Sequence, residues 1–246
     1  MTPRQTLPLA PSIAAMPLKP RSSTPAPLPT GRRERESGSL TSLRWRTLAV
    51  TICLLVYMPV LLAAAWAGAG LLPGEDGIVL WSHRKVLTLQ AYGVVAVMVI
   101  VFFCLWLWRA AKSVRRLGVT VSVEQPGMAV LYFFIPVAWW YKPYAIVRTI
   151  WQVAMDPADW DNVAISQALP LWWIMWILQW AAALVIIGVE LLVMSADKRF
   201  LQTVGIWIFA GCGLVATLSL LAVIRQTSAG LRRQLRSRAQ SGAHTH

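Results

Sequence analysis

LAVTICLLVYMPVLLAAAWAGAGLL, running from Leu48 to Leu72, contains no charged residue in twenty-five positions. As a helix rising ~1.5 Å per residue it reaches about 37 Å, more than the ~30 Å hydrocarbon core of a bilayer. The run predicts a transmembrane helix. Pro59, near its middle, lacks an N–H and crowds the preceding turn, and so predicts a kink.

Three similar runs follow. Val86 to Trp108 is free of charge, and in Leu171 to Met194 and Phe200 to Ile224 the single interruption is Glu190. Over all 246 residues the hydrophobic share is 57% and the charged share 13%, about half of what a soluble domain carries. A soluble globular protein is excluded. The composition predicts an all-α polytopic membrane helix bundle with four transmembrane helices and a Pro-broken interfacial or re-entrant segment between the second and third.

The flanks differ sharply from the spans. Residues 1–46 hold eight of the fifteen prolines and the basic stretch Gly31-Arg32-Arg33-Glu34-Arg35-Glu36, a composition that predicts a disordered cytoplasmic tail. Pro8, Pro11 and Pro17 break the only candidate for a secretory signal, so the tail reads as uncleaved. Residues 47–225 form the membrane domain, and 226–246 read as a second basic cytoplasmic tail.

Met128 to Tyr141 is apolar but only fourteen residues long, with Pro136 inside it. At about 21 Å it is short for a crossing. Charge distribution decides, because short cytoplasmic loops collect Lys and Arg. Four spans with both termini inside place 19 basic residues inside and four outside, namely Arg84, Lys85, Lys198 and Arg199. Five spans give 14 and 9 and require translocation of Arg225, Arg232, Arg233, Arg236 and Arg238. The four-span arrangement is the better one, and it keeps 128–155 on the cytoplasmic side. Ile146, Ile150 and Val153 recur at helical spacing while Arg148, Thr149 and Gln152 supply polar positions. Two roles fit that helix: lying at the interface, or packing on the bundle as core.

Trp106-Leu107-Trp108-Arg109, Pro126-Gly127, Phe133-Phe134-Ile135-Pro136, Lys142-Pro143-Tyr144, Trp151 and Asp156-Pro157 follow one another in an order and spacing that resembles a bacterial membrane family, domain-of-unknown-function family 4328. The resemblance covers about residues 85 to 225 and is sharpest from Trp106 to Pro157. Ser113, Met128 and Trp139 depart from its pattern, where Asn, Trp and Asn are common. The resemblance implies a bacterial plasma (inner) membrane protein and brings no activity with it.

Candidate sites are few. Arg109, Lys112, Arg115 and Arg116 leave the second span together, and Arg109, Lys112 and Arg116 share a helical face. Such a cluster attracts anionic headgroups by about 1 kcal/mol per residue near the surface, or simply fixes topology. Lys142 and Tyr144 sit beside Trp139, Trp140 and Tyr141, a composition suited to a headgroup boundary, with Pro143 in the first turn of the next helix. A pocket lined by Arg109 and Lys142 is the functional alternative. Glu190 is the intramembrane acid; it either pairs with Lys198, Arg199 or Arg84 or carries a proton or cation, with Gln90 and Gln179 as possible polar neighbours. Trp173, Trp176 and Trp180 form a stripe that suits packing, or stacking on a planar ligand. Gly68, Gly70, Gly205, Gly211 and Gly213, with Ala64 and Ala210, permit close helix approach within one chain or between copies.

Cys53, Cys104 and Cys212 lie apart in sequence, and the three histidines match no metal-ligand spacing. No phosphate loop or nucleophile elbow is present. The sequence thus predicts no metal, no cofactor, no nucleic-acid partner and no enzymatic activity. What it suggests is a membrane scaffold that contacts anionic lipid and a protein partner or second copy. A small transporter using Glu190 and the broken helix at Pro136 is the alternative.

Overall fold

Pro29 is the last of the N-terminal prolines, and a helix begins at the next residue. The computed structural model describes residues 30–69, 83–117, 125–192 and 198–244, with side chains placed over 41–69, 86–117, 125–192 and 198–237. Helix α1 is Thr30–Gly68, α2 is His83–Arg116, α3 is Pro126–Leu131, α4 is Lys142–Met155, α5 is Ala168–Leu192 and α6 is Lys198–His244. Short 3₁₀ turns occur at Ala138–Trp140 and Trp160–Asn162. Four of these helices, α1, α2, α5 and α6, are long and apolar enough to cross a membrane.

Helix reaches beyond the apolar runs at both ends of the chain. Residues 30–46, within the segment expected to be disordered, are the first turns of α1; without proline after Pro29, nothing stops the helix from extending ahead of the apolar run. Residues 1–29 lie outside the described residues. Likewise 226–244 continue α6 as helix. Its basic residues hide a buried stripe: Thr227, Ser228 and Leu231 are wholly inaccessible, as is Leu43 on the early turns of α1. Arg225, Arg233 and Arg236 occupy the exposed face between them. Pro59 is accommodated inside a continuous α1.

The long helices pack in the order α5, α6, α1, α2, each against the next. They form an arc whose outer members, α2 and α5, share no extended seam. Gly205 meets Ile186 of α5, Gly68 meets Ile206, and Gly213 faces both Leu61 of α1 and Gln179 of α5. The small residues at these three positions therefore serve contacts within the chain. Gly70 lies outside the described residues, and a Cβ at Gly211 would meet open space.

Residues 125–155 enter the mouth of the arc and turn back. Pro126 opens α3 in its first turn, and α3 packs on α2, so that Gly127, Val130 and Phe134 share a groove with Ile100, Leu105 and Trp108. The chain turns through Pro136, as the proline predicts. Pro143 then sits in the first turn of α4. Helix α4 returns along α6 to Met155, whose carbonyl accepts a hydrogen bond from Gln234 Nε2 at 3.2 Å. Val147, Ile150, Val153 and Ala154 are completely buried in the main core. Of the two roles open to this helix, the packing is that of a core helix. Asp156 ends it, its Oδ1 accepting the backbone N–H of Ala158 at 2.9 Å.

Candidate functional site

One level of the bundle is tied by a chain of hydrogen bonds across three helices. Trp106 Nε1 of α2 donates to Ser228 Oγ of α6 at 3.0 Å. Ser228 lies 3.0 Å from Thr47 Oγ1 of α1, which itself donates to the Leu43 carbonyl at 2.8 Å. Thr47 has one proton, so Ser228 must donate to it. Trp151 of α4 adds a fourth helix, its Nε1 donating to Gln226 Oε1 at 3.0 Å. Trp106 and Trp151 are thereby explained as buried anchors.

The basic residues surround this level. Arg46 Nη1 donates to the Leu105 carbonyl at 3.0 Å, and its guanidinium lies 5.6 Å from the Trp108 ring centre. Lys112 Nζ lies 5.8 Å from the same ring. Trp108 thus carries a cation from each of two helices, within the range of cation–π attraction, and remains 40% exposed. Arg44, Lys112, Arg115 and Arg116 are exposed beside it, while Arg109 is half-buried. Ser113, one of the departures from the family pattern, donates to the Arg109 carbonyl at 3.0 Å. Trp45 stands 66% exposed among these cations.

The pocket of Arg109 and Lys142 is not formed. Lys142 begins α4 at the turned-back end, 5.1 Å from the Tyr132 ring centre and 6.0 Å from that of Tyr141. Thirteen residues along α4, about 20 Å, separate it from Met155 and the basic level. Tyr144 turns the other way and approaches Trp173, with ring centres 6.1 Å apart.

Glu190 pairs with Lys198, Oε1 to Nζ at 3.0 Å, and also accepts from Gln202 Nε2. Glu190 is exposed and Lys198 partly so, and the pair lies far along α5 from the basic level. Gln179 is not its neighbour. Because exposed pairs contribute little, Glu190→Gln is expected to leave the melting midpoint of the detergent-solubilised protein unchanged; a large drop would show that the acid is structural.

The tryptophan stripe packs on the turned-back segment between α3 and α4. Trp173 stacks on Trp176 at 4.9 Å, and Trp139 meets Trp176 edge-on at 4.9 Å and Trp180 at 5.7 Å. Beside these indoles, between α2 and α5, lies a cavity of about 580 Å³. Its walls are apolar and aromatic apart from Tyr57, Tyr92, Gln179, Thr217 and Cys104. The Tyr57 and Tyr92 hydroxyls are 3.1 Å apart, and Gln179 Nε2 lies 3.4 Å from the Tyr57 hydroxyl. Gln179 was recognisable as a polar residue in a span, but neither tyrosine was. A period of i, i+3, i+4 gives no hint that residues 35 and 122 positions apart meet.

No curated protein and no solved structure matches the chain. The family model described as "Domain of unknown function (DUF4328)" matches residues 82–229, a stretch that contains α2 to α5 and the α6 residues Gln226 and Ser228 that anchor Trp151 and Trp106. The chain, with four helices long and apolar enough to cross a membrane, belongs to that family of unknown function.

Proposed function

We propose that the protein is a non-enzymatic scaffold of a bacterial plasma membrane, with both termini cytoplasmic, whose basic end holds anionic lipid headgroups and offers the same surface to a protein partner. The observation that carries this reading is Trp108, exposed at the end of an apolar span with Arg46 on one side and Lys112 on the other. An indole at the headgroup level with flanking cations suits a negatively charged, partly apolar partner. The clustering of the α1, α2 and α6 cations at one end supports the orientation, since cytoplasmic loops collect such residues. Glu190, exposed and ion-paired away from the cavity, lends nothing to a transport reading.

The test is the amount of phosphatidylglycerol retained through purification in a neutral detergent. Replacing the exposed Lys112, Arg115 and Arg116 by Gln is expected to weaken retention about fivefold per residue, from ~1 kcal/mol each. Arg109 is left intact because it is half-buried. Equal retention by both proteins overturns the proposal.

A further inference from the structure

The cavity between α2 and α5 holds an uncommitted hydrogen-bond donor. Two phenol hydroxyls 3.1 Å apart use one of their two protons between them, whichever ring donates. Gln179 Nε2 donates toward Tyr57 and so consumes none. One phenol proton is left over, and no other hydrogen bond to either hydroxyl forms among the described residues. Gln179 itself is 7% exposed and has room because Gly213 has no Cβ; an added one would lie 2.7 Å from its Nε2. In hydrocarbon an unmade hydrogen bond of this kind is costly, so the site selects an occupant with an acceptor oxygen.

The depth of the site restricts which acceptor can arrive. Tyr57 lies ten residues from Thr47 and eleven from Gly68, about 15 Å from each end of the apolar part of α1. Phospholipid ester carbonyls lie at the bilayer boundary, not at this depth. No charged side chain lines the cavity, so the acceptor is neutral. Phe103, Trp172, Trp176 and Trp139 present flat faces and edges that suit a planar ring, and 580 Å³ is within the usual range for small-molecule sites. The missing seam between α2 and α5 leaves a lateral path for an apolar tail. We propose that this cavity binds a lipid-soluble quinone, with the ring among the aromatic side chains, one carbonyl oxygen accepting from the Tyr57–Tyr92 pair, and the prenyl or alkyl tail leaving between α2 and α5.

The full chain in neutral detergent is titrated with decylubiquinone, reading tryptophan fluorescence quenching and the melting midpoint, with phosphatidylethanolamine as competitor. The expected result is saturable binding of one quinone per chain and a raised midpoint. The double variant Tyr57→Phe with Tyr92→Phe keeps both rings and is expected to bind about fivefold more weakly. Ala183→Phe, or Ala96→Phe from the opposite wall should the first fail to fold, fills the cavity and abolishes binding. Absence of saturable binding by the wild type overturns the proposal. So does undiminished binding by the cavity-filled variant. If the double phenylalanine variant binds equally and phosphatidylethanolamine competes on a par with the quinone, the occupant is an acyl chain and the quinone assignment fails.

Discussion

Trp106→Ala is expected to destabilise the folded protein by about 3–5 kcal/mol, the cost of emptying a large core site. Its side chain is completely inaccessible, stacks on Phe103 with ring centres 5.8 Å apart and supplies the N–H that begins the Trp106, Ser228, Thr47 chain. Truncation removes the ring and the donor together. Trp106→Phe isolates the second loss and should fall between the variant and the wild type. The comparison is Trp207→Ala, which deletes a 38% exposed indole that touches Trp66 edge-on at 6.3 Å. Melting of the detergent-solubilised proteins checks this. Equal loss from both alanine variants would contradict a core concentrated at the basic end.

Gly230→Ala should come second in size. A methyl group there would lie 2.4 Å from the Ala154 carbonyl oxygen and 2.9 Å from its carbon. Those are backbone atoms in the middle of the α4–α6 contact, so a rotamer change gives no relief and the helices must separate. Overpacking costs about 1–3 kcal/mol where side chains can yield, and this site lies at or above the upper part of that range. Separation also strains the Trp151–Gln226 and Gln234–Met155 hydrogen bonds. Gly188→Ala is the control, since a Cβ there meets nothing within 4 Å and alanine is the better helix former. Its melting midpoint should not fall. A Gly230→Ala protein as stable as the wild type would show that α4 is loosely docked.

The spans were legible because membrane insertion imposes a single crude rule, apolar length without charge, and Leu48, Val86, Leu171 and Phe200 each begin a run that satisfies it. Pro136 and Pro143 were legible for a local reason: a missing N–H breaks or begins a helix wherever it occurs. The pairing of Glu190 with Lys198 was within reach because eight residues around a short connection bring them near each other. The helical ends of α1 and α6 were not. Arginine is both a good helix former and the commonest sign of a solvated tail, and only the partners of Leu43 and Leu231 tell the two apart. The alternative pocket of Lys142 and Arg109 rested on shared charge alone, and α4 holds the two a helix length apart, whereas the helix start at Lys142-Pro143 was readable from the proline. Trp139, a departure from the family pattern, reads in sequence as a lost asparagine; in the fold it caps the indole stripe and forms a wall of the cavity.

The absence of a seam between α2 and α5 makes the molecule unevenly stiff. Near Trp106 the helices are joined by hydrogen bonds and a filled core, and Phe103 and Trp172 meet directly across the mouth with ring centres 6.2 Å apart. Beyond that point α2 and α5 are linked through third elements, Trp139 on Trp176 and Trp180 and the Tyr92–Tyr57–Gln179 chain by way of α1. The arrangement is that of tweezers, closed at the charged end and spanned by inserts at the tips, so the spacing of α2 and α5 is set by what packs between them.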